Sequence, residues 1–159
     1  QTMAHALQVE SQEVQMKLLY AIDIRDDGLW HLDEVARWAT RLDATVDIVY
    51  VNPFGDYAPY VLDPALNKAL HQGMEKAKKA DLEVVTRALG ELPEGVRGQG
   101  IVEKGDAAPV VAEMARNYDA LLLSTRANKG IRRLWLGSVA ERVLRLHKGT
   151  SIVLHGRDD

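Results

Sequence analysis

The stretch RGQGIVEKGDAAPVVAEMARNYDALLLS, Arg97 to Ser124, changes its hydrophobic period once and then changes back. RGQGIVEKG reads as a strand. Asp106 then stands where a helix N-cap belongs, and Pro109 falls inside the first turn, where a missing N–H costs little. The helix is expected to run to about Asn117, after which the apolar run ALLLS reads as a buried strand. Strand, helix and strand in so short a span form the crossover unit of a parallel sheet, because parallel neighbours cannot be joined by a tight turn.

The same alternation continues on both sides of that unit. Upstream, KLLYAI is an apolar run ending at Asp23, and TVDIVYV is a second strand. Between them, LWHLDEVARWATRL puts Leu29, Leu32, Val35, Ala36, Ala39 and Leu42 at helical spacing, with Gly28 marking the turn before them. After a loop with Pro53, Gly55 and Pro59, the longest helix is expected from Pro64 to about Leu89. Its apolar face is Leu66, Leu70, Met74, Ala77, Val84, Val85 and Ala88. Downstream, SVAERVLRLH is a helix with Gly149 placed to cap it, and SIVLH is a fifth strand. The expected fold class is α/β, a doubly wound five-stranded parallel sheet with helices on both faces.

The 159 residues are the size of one domain, and residues 1–15, with neither period, read as a flexible extension before a domain over 16–159. A net charge of -3 argues against a surface made for nucleic acid or anionic lipid. There is no cysteine, so thiol catalysis and cysteine-ligated zinc are excluded, and no apolar run is long enough to span a bilayer. A cytoplasmic protein is the expectation. The five histidines have no metal-ligand spacing; His147 and His155 read as capping or surface residues, and no metal is assigned to side chains.

Several of these segments together resemble the universal stress protein family, over about Val14 to His155. They are the apolar strand ending in Asp (LLYAID), the strand DIVYV, and the pair Gly105–Asp106 before the third helix. The family signature is glycine, two residues, glycine, nine residues, glycine and then serine or threonine. Its spacing survives as Ser124, Ala127, Gly137 and Ser138, followed by VAERVLR, with the first two glycines replaced. The resemblance implies a universal stress protein domain with the sheet order 3-2-1-4-5. It also implies an adenine-nucleotide site, for ATP with any Mg2+ bound through the phosphates. The site would be bounded by Asp23, Val51, Gly105, Ser124, Ala127, Gly137 and Ser138.

Each of these positions has a physical reason and a plainer alternative. Glycine permits close backbone approach and positive φ, so a β-carbon at Ser124 or Ala127 is tolerated only where φ is negative and otherwise closes the cleft. The expected loss is steric and local. Ser138 and Glu141 have the spacing of a capping box, a structural role compatible with phosphate held at the helix start. Asp23 ends the first strand at the point where the strand order reverses, where open α/β sheets bind ligands; an Asp there is also an ordinary turn residue. The segment from Ser124 to Ser138 holds Arg126, Lys129, Arg132 and Arg133 and no acidic residue, so Arg126 or Lys129 could supply charge to phosphates. Phe54, Tyr57 and Tyr60 are candidates to stack on a base.

Two functions fit. One is a nucleotide-binding stress-response module read by an unidentified protein partner; the other is a nucleotide-free dimeric interaction module. Enzymatic activity would be confined to very slow ATP hydrolysis, since there is no P-loop, no nucleophile elbow and no glycine-rich turn after the first strand. SIVLH is an uncharged edge strand, so a two-fold homodimer is expected in which it pairs antiparallel with its mate, burying Ile152, Val153 and Leu154 in part.

Overall fold

In a computed structural model of the chain, the residues described are 14–24, 31–54, 61–125 and 137–155. The strands are β1 (Met16–Ala21), β2 (Ala44–Asn52), β3 (Arg97–Lys104), β4 (Ala120–Ser124) and β5 (Ser151–Leu154). The helices are α1 (Leu32–Arg41), α2 (Pro64–Gly90), α3 (Ala107–Ala115) and α4 (Ser138–Leu146). All pairings are parallel, in the order β3-β2-β1-β4-β5. Leu18, Tyr20, Ile48 and Leu122 pack beneath α1 and α2, whereas Leu19, Val49, Leu121 and Leu123 pack beneath α3 and α4. A sheet covered on both faces needs apolar residues at consecutive positions, which is why β1, β2 and β4 are apolar runs.

β2 contains one exception. Asp47 is buried, with its Oδ1 accepting from the Gln99 amide at 2.7 Å and its Oδ2 from the Tyr118 hydroxyl at 2.6 Å. The β2–β3 register shifts here: Val46 faces Arg97 but Ile48 faces Gly100, so β3 carries an extra residue. The bulge turns the Gln99 amide onto the carboxylate, and Gly98 leaves the room that the carboxylate occupies.

The longest helix has the expected span, but its apolar face is only partly used. Val85 and Ala88 are buried and Val84 packs against them, whereas Leu66 and Ala77 are exposed and Leu70 and Met74 half-buried. At 1.5 Å per residue the helix is about 40 Å long, while a strand of eight or nine residues spans about 30 Å. Its N-terminal half therefore overhangs the sheet. Asp63 caps its start through the Ala65 and Leu66 amides. At its end the Arg97 guanidinium donates to the Gly90 and Leu92 carbonyls.

Two expected caps differ. The N-cap of α4 is Gly137 and not Ser138, which already has helical geometry; no capping box forms, and Glu141 pairs with Arg145 at 2.6 Å. The same helix ends at Leu146 with an extended His147, and Gly149 does not have the positive φ of a glycine cap. Among the described residues no helix is long and apolar enough to cross a membrane.

Candidate functional site

The C-terminal ends of β1, β2 and β4 and the N-termini of α3 and α4 enclose a cleft of about 310 Å³. Asp23, Val51, Ser124, Gly137 and Ser138, drawn from four separate stretches of chain, all border it. Its floor is apolar: Val49, Val51 and Leu123 project from the sheet, and Val111 and Val143 close it from the helices. The location follows from topology. β1 and β4 are neighbours in the sheet but their following helices pass to opposite faces, so a crevice opens between them.

Gly105 does not border the cleft. Its φ of 116° and its amide bond to the Asn52 carbonyl at 3.1 Å make it the turn that delivers Asp106 to the wall. Asn52 also binds the buried Asp81 carboxylate of α2 at 2.8 Å, so the rim beside Val51 is tied to the opposite layer. Arg126, Ala127, Lys129, Tyr57 and Tyr60 lie outside the described residues; Phe54 is described and 77% exposed.

Ser124 stands where the family signature has its first glycine, and its backbone does not need that residue's freedom of φ. Among described non-glycine residues only His31 and Asp43 have positive φ, so Ser124 is unstrained. Its hydroxyl bonds Tyr20, whose ring is buried beneath α1 and α2, on the sheet face away from α3 and α4. The hydroxyl is thus turned toward Tyr20, and Ser124 itself borders the cleft.

Burial pushes the Tyr20 hydroxyl up to about 12; the Ser124 hydrogen bond opposes this and nearby Glu34 adds to it. Tyr20 holds its proton in the folded chain at pH values where an unfolded tyrosine, near 10, has lost it. Stability is therefore full below about pH 10 and falls as pH rises through about 12, by about 2–3 kcal/mol from this group. Urea unfolding across that range measures the fall, and Tyr20→Phe should flatten it; Tyr118, raised by burial and by Asp47, keeps a remaining slope.

At α4, Gly137 has φ -58° and ψ 153°, values open to any residue, and a β-carbon there would meet no described residue within 4 Å. No side chain among the described residues caps the helix, whose first intrahelical bond runs from the Glu141 amide to the Gly137 carbonyl. The first-turn amides of Ser138, Val139 and Ala140 are therefore available at the cleft wall. At α3, Asp106 is the N-cap, but its carboxylate is taken by Arg142 of α4, 3.0 Å from Nη1 to Oδ1. That hydrogen bond holds the carboxyl below the usual carboxylate range. Neither Arg142 nor the Tyr20–Ser124 contact was legible locally, although Arg142 falls one helical turn after Ser138. Among the described residues no group of three or more His, Asp or Glu could hold a metal ion.

An open parallel α/β sheet with a cleft at its switch point is the doubly wound class of fold. Residues 16–153 match the model of the universal stress protein family, and the chain belongs to that family. A universal stress protein of Mycolicibacterium smegmatis is 28% identical over 156 residues, covering 91% of this chain and 51% of the relative. The chain thus spans about half the length of that relative. Among solved structures, universal stress protein UspA from Lactobacillus plantarum matches with a TM-score of 0.59 at 18% identity, over 88% of this chain and 97% of that one. A universal stress protein in complex with cAMP matches with a TM-score of 0.53 at 18% identity, over 89% and 97%.

Proposed function

We propose that this chain is a stress-response module that binds an adenine nucleotide in the cleft between β1, β4 and the start of α4. The observation that carries the reading is Gly137. It is the N-cap of α4, no side chain among the described residues caps the helix, and the absent β-carbon leaves a close approach to the first-turn amides that border the cleft. Phosphate oxygens accept from the amides of Ser138 to Ala140, aided by the positive end of the helix dipole. Asp23 accepts from ribose hydroxyls, and the backbone of Val51 reads the adenine edge above the apolar floor. Mg2+, when present, travels with the phosphates. That a solved protein of this fold holds cAMP supports the ligand class. Acid extraction of the purified protein tests the reading: an adenine nucleotide in the extract is expected. An empty extract, together with no heat on titration with ATP, would leave the nucleotide-free interaction module.

The module acts as a two-fold dimer through β5. The Thr150 and Leu154 carbonyls accept from β4, so alternation along the strand turns the Ser151 and Val153 backbone groups to the open edge. Leu154, expected to contribute to the interface, is 2% exposed within its own chain, which leaves Ile152 and Val153 as the side chains available there. Light scattering at micromolar concentration should give a dimer mass. Val153→Pro should shift it to the monomer with the fold retained, because the N–H it removes lies on the free edge. A monomeric wild type would refute the dimer.

A further inference from the structure

We infer that the Asp106–Arg142 ion pair is a charge latch that sets how many phosphates the cleft accepts, an inference that rests on the nucleotide reading above. Two described charged residues border the cleft, Asp23 and Asp106, and both are acidic. A polyanion entering beside Asp106 meets a carboxylate charge in addition to its own. What offsets that charge is Arg142, whose Nη1 and Nη2 hold both oxygens of Asp106.

The pair's position suits that task. Arg142 lies four residues after Ser138 and so shares its helix face, and long side chains on a helix lean back over the preceding turn. Bound to Asp106, which borders the cleft together with Ser138 to Ala140, its guanidinium ties α4 to the N-cap of α3. Both side chains are about half exposed, 52% and 53%, and an ion pair so open to water contributes little to stability. It is also free to exchange partners. With Arg142 on Asp106 the wall accepts a singly charged phosphate at the helix terminus. A di- or triphosphate draws Arg142 away into bidentate contact with its own oxygens, and this leaves Asp106 to be balanced by the cation that accompanies the phosphates.

The latch is tested by a ladder of probes, adenosine, AMP, ADP and ATP, titrated into the full chain with and without Mg2+. Asp106→Asn keeps an N-cap residue of equal quality and releases Arg142. Affinity should rise by about three- to tenfold for ATP, less for AMP and not at all for adenosine, the size expected of one charge near the surface. Arg142→Gln should do the reverse along the same ladder, and the double variant should return close to wild type. Thermal unfolding of each variant should stay near the wild-type midpoint. A change of equal size for adenosine and ATP, or no change in a chain that does bind ATP, would overturn the latch and leave the nucleotide reading intact. Failure of wild type and both single variants to bind adenosine or ATP would instead overturn the nucleotide reading itself, and the latch with it.

Discussion

Gly98→Ala is expected to destabilise the chain by about 2–4 kcal/mol, a large effect for one added methyl group. A β-carbon at Gly98 would overlap Asp47 Oδ1 and sit 2.8 Å from the Val46 carbonyl oxygen. The carboxylate cannot simply move aside, since it is held from two sides by the Gln99 amide and the Tyr118 hydroxyl. Displacing it leaves a buried charge and two donors short of partners. For a chain of this size the unfolding midpoint should drop by about 6–12 °C. The cost should shrink by about half in an Asp47→Ala background, where the main overlap is gone. Gly73→Ala is the control: Gly73 lies inside α2 with nothing near its absent β-carbon, and this change should raise stability by about 0.5–1 kcal/mol. A neutral Gly98→Ala, or an equal cost with and without Asp47, would contradict this account of the bulge.

Gly137→Asp is expected to separate stability from function. Asp is a better N-cap than Gly, and its charge complements the dipole of α4, so the folded chain should gain a few tenths of a kcal/mol or lose nothing. The same carboxylate would occupy the amides of Ser138 to Ala140 and face any incoming phosphate with a like charge. ATP affinity should fall by about a hundredfold or more, while the affinity for adenosine changes little. Calorimetric titration of both ligands, beside thermal unfolding, reads the two effects independently. Retained ATP affinity in a well-folded variant would mean that the α4 terminus is not where phosphate binds.

The strands were legible because a sheet covered on both faces demands apolar runs, and KLLYAI, TVDIVYV and ALLLS each supply one. Other features depended on what the chain meets only after folding. The Gln99 amide reaches Asp47 through a bulge in the neighbouring strand, which the reading of RGQGIVEKG as a plain strand does not include. Tyr118 lies 71 residues from Asp47 and is brought to it by the β2–β3–α3 path. The apolar period of α2 marked the side that turns inward but not how much sheet lies beneath it, so Leu66 was expected in the core and is exposed. Ser138 and Glu141 had the spacing of a capping box; the helix instead begins so that Gly137 is the cap, a shift of one residue that local pattern does not resolve. At Ser124, strand parity sets the direction of the hydroxyl: the residue follows Leu122 onto the α1 and α2 face, which turns it to Tyr20.

The location of the nucleotide is the central claim, and amide chemical shifts on adding ATP test it most directly. The account predicts the largest shifts at Gly137, Ser138, Val139 and Ala140, with smaller ones at Asp23 and Val51. None is expected in the groove at the other end of α3 and α4, around Arg116, His147 and Lys148. Shifts confined to that groove, or no shifts at all with ATP in large excess, would contradict it.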